Sequence, residues 1–312
     1  MTDATGTLHL GLDLGGTNIK WAVLVRDGDA WSTVGTGSAA TCADEGEAAV
    51  VARLADTAHA AMAAHGSVAS VGVGVPGLYD PDGGTTEFLV NFPGGWRGVR
   101  IVAPLTTALA LPIALINDAR AFGLAELRLG AARGVDTMIG LTLGTGVGGV
   151  VAVHGMVLQG YKGRAGELGH QTIDPDGPWC NCGNRGCVEA FCRADQIALA
   201  CGTRSVEEAV SAARAGDPRA IQGLSDTGRY LGIGLANMIV ALNPDRVVLG
   251  GGVAAAGDLI LSPIRDEIAR RVHVTAYTHI DVVVASLGTY AGAIGAGIHG
   301  AEDATARAAA GS

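Results

Sequence analysis

Apolar residues at positions 8, 10, 12 and 14 alternate with small or polar ones, the period of a strand with one buried face. Gly15-Gly16-Thr17-Asn18 interrupts the pattern and an apolar run over 19–25 follows, so this stretch predicts a hairpin with a glycine turn. The string Leu10-Gly-Leu-Asp-Leu-Gly-Gly-Thr has a counterpart in Ile139-Gly-Leu-Thr-Leu-Gly-Thr-Gly, which leads into Val147-Gly148-Gly149-Val150-Val151. A weaker echo links Val71-Gly-Val-Gly-Val-Pro-Gly with Val247-Val-Leu-Gly-Gly-Gly-Val. Two halves that each open on a glycine-turn hairpin suggest a duplicated α/β unit, with a cleft between the halves.

Helices are expected between the strands. One covers 44–64, with Asp44 and Glu47 as a capping pair and Gly66 as the stop. Asn117-Asp118 leads into a second that Gly130 ends. Ser205 and Glu208 cap a third, and Asp217-Pro218 starts a long one that runs to Leu242, before Asn243-Pro244. Others are expected over about 258–272 and from Tyr290 to His299, with an Ala-rich, frayed end beyond Glu302. No linker or low-complexity block separates the halves. The expected division is a small N-terminal lobe over 1–117, with a C-terminal helix (290–312) packed back on it, and a larger lobe over 118–289.

The length of 312 residues agrees with two lobes. Apolar residues make up 48% but aromatics only 4%, and there are 49 glycines, which implies a core of small aliphatic side chains and close backbone approaches. A net charge of −9 argues against nucleic acid as a partner. Residues 137–161 carry no Asp, Glu, Lys or Arg, yet their glycines and alternation fit strands rather than a membrane helix. With no signal peptide visible at the N-terminus, a cytoplasmic protein is expected.

Three groups of residues carry candidate chemistry. In Asp13-Leu14-Gly15-Gly16-Thr17, consecutive glycines allow backbone N–H groups to converge on a phosphate, and Thr17 adds a hydroxyl. Asp13 there is tolerable near a magnesium ion. The bland alternative is a hairpin turn that needs positive φ. Gly144-Thr145-Gly146 repeats the chemistry, and two such turns facing a cleft suit a triphosphate. Neither a Walker-type loop nor a dinucleotide fingerprint is present. In Leu115-Ile116-Asn117-Asp118, an apolar strand ends on a carboxylate that can serve as a general base, or as a helix cap. Finally, His170, Cys180, Cys182 and Cys187 form a four-ligand set with C-x-C-x₄-C spacing, which suits a closed structural zinc site. The alternative is three buried thiols and an unrelated histidine. A zinc on one ring nitrogen of His170 leaves the other to orient a substrate group.

Taken together, these residues resemble the ROK family of bacterial sugar kinases, and in particular its ATP-dependent glucokinases. The resemblance runs from about Leu10 to Gly297 and is most specific in Glu167-Leu-Gly-His170 followed by Cys180-x-Cys182-Gly-x-x-Gly-Cys187-x-Glu189. It implies an actin-like, hexokinase-type (ribonuclease H-like) duplicated fold whose lobes close on substrate. It implies Asp118 as catalytic base, with Asn91, Asn117, Glu167, His170 and Glu189 as ligands of the sugar hydroxyls. The phosphate loops would be Gly15, Gly16 and Thr17 with Gly144, Thr145 and Gly146, and Gly250, Gly251 and Gly252 the adenosine-side turn. ATP, Mg²⁺ and a structural Zn²⁺ are the implied cofactors, and a homodimer or homotetramer the implied assembly.

The chain departs from the family pattern at several positions. Arg120-Ala121 replaces the frequent Asn-Ala, Asn91-Phe-Pro-Gly-Gly-Trp96 is lengthened, Val150 stands at a usual glycine, and Tyr290 precedes Ala291-Gly292. The first two bear on the sugar pocket. The acceptor expected is glucose, with N-acetylmannosamine, N-acetylglucosamine, another hexose such as mannose, or a cyclitol as alternatives, and polyphosphate as an alternative donor. The family also includes sugar-sensing repressors with a DNA-binding segment ahead of the first phosphate motif. Asp13 lies too near the start for one, so a kinase is expected.

Overall fold

The computed structural model describes residues 6–89 and 92–310. The chain divides into two compact units, and each contains a five-stranded sheet. In the first unit β1 (Thr7–Leu14), β2 (Asn18–Asp27) and β3 (Ala30–Ala40) form an antiparallel meander. Helix α1 (Glu47–His65) then leads to β4 (Val71–Val75), which runs parallel to β1. A small hairpin of β5 (Leu78–Asp80) and β6 (Thr85–Phe88) and the helix α2 (Val102–Leu109) precede β7 (Ile113–Asn117), parallel to β4. Helix α3 (Asp118–Arg128) follows at once. The sheet order is β3-β2-β1-β4-β7.

The second unit repeats this plan. β8 (Met138–Leu143), β9 (Val147–Val153) and β10 (Met156–Val157) form the meander. Four helices follow: α4 (Val188–Cys192), α5 (Ala194–Cys201), α6 (Val206–Arg214) and α7 (Pro218–Leu242). β11 (Arg246–Gly250) then runs parallel to β8, and beyond α8 (Asp258–Arg271) the strand β12 (Asp281–Val284) runs parallel to β11. The order β10-β9-β8-β11-β12 matches that of the first sheet position for position, which makes the fold a duplicated ribonuclease H-like one. The weak echo noted in the sequence lies on β4 and β11, the fourth strand of each chain-ordered set.

The alternation in β1 separates two kinds of packing. Leu10, Leu12 and Leu14 are fully buried in one cluster with Val50 and Leu54 of α1, and each contributes roughly 1.5–3 kcal/mol by burial. On the opposite face, Gly11 and Gly72 let a helix backbone lie directly on the sheet. That helix, α9 (Ala291–Ala310), comes so close that a Cβ on Gly11 would sit 1.8 Å from the Ala293 carbonyl oxygen, and one on Gly72 1.7 Å from that of Ala296. The small-residue character of the sequence is thus a packing requirement of this face.

Several boundaries differ from expectation. The first unit extends to Gly130 and includes Gln159–Arg164 and the chain from Thr289, so the division falls after α3 rather than at 117/118. The cause is the α3–α9 contact, in which a Cβ on Gly295 would meet the Ala121 carbonyl oxygen at 1.7 Å. At α1, Gly46 occupies the cap position without a side-chain bond and Asp44 lies in a separate short turn, so the Asp44/Glu47 pair does not form. Helix α9 continues beyond the expected end at His299 to Ala310. Ser205 and Asp217 cap α6 and α7 as expected. Residues 137–161 are β8 to β10 and the turns around them, and among the described residues no helix is long and apolar enough to cross a membrane.

Candidate active site

Neither glycine turn uses the left-handed region: Gly15, Gly16, Gly144 and Gly146 all lie outside positive φ. The bland explanation for these glycines therefore fails. Gly15 and Gly146 instead allow close approaches, since a Cβ would come 2.9 Å from the Asn18 oxygen at the first and 2.5 Å from Glu189 Oε2 at the second, whereas Gly144 leaves its backbone uncovered. A Cβ on Gly144 would meet nothing within 4 Å. The first turn spans four residues, with the Gly15 N–H donating to the Asn18 carbonyl at 3.0 Å, whereas the second is closed by a Gly144-to-Gly146 bond at 3.0 Å. The first turn is also braced from β3's end, since Thr41 Oγ1 donates to the Gly15 oxygen at 2.6 Å and Arg53 holds the Thr41 oxygen at 2.7 Å.

Asp13 pairs across the strands with Lys20 and lies against Gly74 of β4. A Cβ on Gly292, in the first turn of α9, would come 2.7 Å from its Oδ2. Burial pushes the Asp13 carboxyl up from its ordinary 3.8 to about 6, against the opposing pull of Lys20.

The sequence left the cap of α3 open between Asn117 and Asp118. Asn117 is the cap of α3: its Oδ1 accepts the N–H groups of Ala119 at 3.0 Å and Arg120 at 3.2 Å, and its Nδ2 donates to the Gly77 oxygen at 3.1 Å. Three of the amide's four hydrogen-bonding positions are so engaged, which leaves one donor for a ligand hydroxyl. Asp118 is the first helical residue, partly exposed, with its Oδ1 on the Ala119 N–H at 2.8 Å. Phe92 and Trp96 are buried with ring centroids 4.5 Å apart, and Arg120, two residues into α3 from Asp118, is 1% exposed. Asn91, expected among the sugar ligands, lies outside the described residues.

In the second unit a cavity of about 430 Å³ opens beside the second turn. Leu143, Gly144, Thr145 and Gly252 line it together with Ala194, Val206 and Glu207. Gly251, at φ 84°, must be glycine, because a Cβ there would sit 2.1 Å from the Leu143 carbonyl oxygen. The turn at Gly250–Gly252 and the turn at Gly144–Gly146 thus border one hollow. Its walls from α5 and α6 carried no sequence signal, since they come from segments some fifty residues beyond the turn they face.

The ligand atoms of His170, Cys180, Cys182 and Cys187 all lie within 4.8 Å of one another. Cys180 Sγ is 3.6 Å from His170 Nδ1, and Cys182 Sγ is 3.7 Å from Cys187 Sγ. Tetrahedral bonds of zinc length require ligand separations of about 3.6–3.8 Å, which these two pairs match, and three thiols with an imidazole are donor types that suit that ion. The loop depends on Gly186, at φ 65°, where a Cβ would overlap the Asp174 oxygen at 1.5 Å. Burial pushes the Cys180 thiol up to about 12. Burial pushes at Cys182 too, but the Asn184 N–H and the other two thiols donate to it and hold it below its ordinary value. Glu189 adjoins the set, with Oε1 4.0 Å from His170 Nδ1. Glu167 is exposed at the start of the Leu168–His170 turn.

The ROK family model matches residues 9–299. A glucokinase of Halalkalibacterium halodurans is 34% identical over 93% of this chain and 93% of its own length. Among solved structures, a ROK hexokinase from Thermus thermophilus superposes with a TM-score of 0.82 at 34% identity, over 96% of this chain and 99% of the other. A ROK glucokinase from Streptomyces griseus, solved with glucose and AMPPNP, gives 0.78 at 30% identity, over 95% and 99%.

Proposed function

The chain belongs to the ROK family and is a sugar kinase, and from that premise we propose that it phosphorylates glucose to glucose 6-phosphate with Asp118 as the general base. The observation that carries the base assignment is the cap geometry at the end of β7. Asn117 accepts the N–H groups of Ala119 and Arg120, so α3 is capped without the carboxylate at 118, whose Oδ1 only shares the Ala119 N–H. That carboxylate stands at the positive end of the helix, where an anion is favoured, and takes the proton of the acceptor hydroxyl.

Phosphoryl transfer depends on positioning and charge neutralisation. By the family resemblance, phosphate contacts are assigned to Gly15–Thr17 in the first unit and to Gly144–Gly146 in the second, and the adenosine to the second unit's cavity bounded by Leu143, Val206 and Gly252. Magnesium, placed near Asp13, would offset the charge of the phosphates. Asn117, Glu167, His170 and Glu189 are assigned to the sugar hydroxyls, and Asn91 is kept with them on its motif. Zinc on His170, Cys180, Cys182 and Cys187 would brace this wall and leave His170 Nε2 for a hydroxyl. Glucose as acceptor is supported by the relatives that carry the name glucokinase.

The test is a panel of hexoses, N-acetylhexosamines and cyclitols, each with ATP and with polyphosphate, applied to the wild type and to Asp118→Asn. Glucose with ATP should give the highest kcat/KM, and Asp118→Asn should lower kcat about 10²–10⁴-fold while still binding the sugar. Near wild-type turnover in Asp118→Asn would remove the base assignment, and a better acceptor in the panel would replace glucose.

A further inference from the structure

Glu189 touches two features of the second unit that the kinase reading treats as separate. Its Oε2 accepts the backbone N–H of Val147 at 2.9 Å, the first residue after the Gly144-Thr145-Gly146 turn. Its Oε1 lies 3.5 Å from Cys180 Sγ and 4.0 Å from His170 Nδ1. The other end of the turn is fastened to the same stretch of chain, because the Ala194 N–H donates to the Gly144 carbonyl at 2.9 Å. Both ends of the turn are therefore tied to residues 189–194, which follow directly on the third thiol, Cys187.

The fit is close. A Cβ on Gly146 would come 2.5 Å from Glu189 Oε2, so glycine at 146 is what lets the carboxylate reach Val147. The Glu189 side chain is only 13% exposed, and a hydrogen bond to a charged acceptor in so dry a setting is stronger than one in water. Its carboxylate has few other places to go. Cys180 and His170 bound it on one side and the turn on the other, so the carboxylate links the thiol–imidazole cluster to Val147.

We infer that Glu189 is a positioning residue for the donor turn, held in place by the His170–Cys180–Cys182–Cys187 cluster, so that nucleotide affinity depends on the metal in that cluster. This rests on the reading of the turn as a phosphate site and goes beyond Glu189's assignment to the sugar. A cluster that merely stabilises the fold, or a Glu189 that only contacts sugar, predicts no such dependence.

The experiment compares wild type with Glu189→Gln, Glu189→Ala and Glu189→Asp as purified, metal-loaded proteins. Binding of Mg–AMPPNP without sugar is measured by calorimetry, sugar binding separately, and amide hydrogen exchange over residues 143–150. A glutamine oxygen can still accept the Val147 N–H, so Glu189→Gln should bind AMPPNP within about three-fold of wild type, whereas Ala and the shorter Asp should lose about ten-fold or more. Exchange over 143–150 should rise in Ala and Asp but not in Gln. Stripping the metal from wild type should produce the same loss, reversed by zinc, and stripping Glu189→Ala should add nothing further.

The inference is overturned if Ala and Asp bind AMPPNP like wild type, or if stripping weakens Glu189→Ala as much as wild type. Should Glu189→Ala fail to fold, the Asp and Gln pair still decides. If wild type itself binds no nucleotide, the kinase reading fails, and the exchange data still judge the turn contact alone.

Discussion

Replacing Asp13 by asparagine keeps the shape of the side chain and removes a charge that the fold holds at a cost. The carboxyl titrates at about 6 in the folded protein instead of 3.8, so between these values the folded state binds more protons than the unfolded chain. The contribution of Asp13 to wild-type stability must therefore fall as pH rises through that window and level off above it. A shift of about two units corresponds to about 3 kcal/mol above pH ~6.5, and to about half of that at pH ~5. Asparagine does not titrate. The Asp13→Asn protein without nucleotide should accordingly be more stable than wild type by about 3 kcal/mol at pH ~7.5, and the gain should shrink steadily towards pH ~4. Urea unfolding at a series of pH values measures this directly. The same variant should lose most of its kinase activity and its stabilisation by Mg–AMPPNP, the trade expected where a strained charge serves function. A gain that does not depend on pH, or a loss of stability at pH ~7.5, would refute the assignment of a destabilised carboxylate.

Asn117→Ala removes the α3 cap and the bond to Gly77, and should lower stability by about 1–2 kcal/mol in thermal or chemical unfolding, with kcat falling because the helix start that carries Asp118 loosens. Gly72→Ala and Gly144→Ala form a contrasting pair. The first forces a methyl against the Ala296 carbonyl and should cost 3 kcal/mol or more, roughly the upper range for overpacking, while the second meets no neighbour and should leave the unfolding midpoint unchanged but raise KM for ATP. Cys182→Ser should abolish the binding of about one zinc per chain, measured by metal analysis, because it removes one of four ligands.

Much of this molecule is written in local pattern. The Leu10-Gly11-Leu12 alternation, the two glycine turns, the caps at Ser205 and Asp217 and the spacing of the three clustered cysteines each specify a neighbourhood of a few residues, and each is found where the pattern placed it. The repeat of one hairpin in the other marked the duplication, because identical sheet orders need similar strand and turn signals. The boundary after α3 was not legible. It depends on Gly295 meeting Ala121, residues with no distinguishing pattern whose contact exists only once α9 has returned to the first sheet. Nor could the sequence separate Asn117 from Asp118, since both residue types cap helices equally well. Only the backbone direction at the end of β7 assigns the cap to Asn117. The meeting of Glu189 with Val147 is of the same kind. A local motif specifies which side chains are present, but a hydrogen bond between residues forty-two positions apart depends on the packing of α4 against the end of β9. The sequence alone therefore determined the elements, the duplication and the candidate chemistry, whereas the partner of each polar atom was decided by tertiary packing, because that choice depends on distances no local pattern encodes.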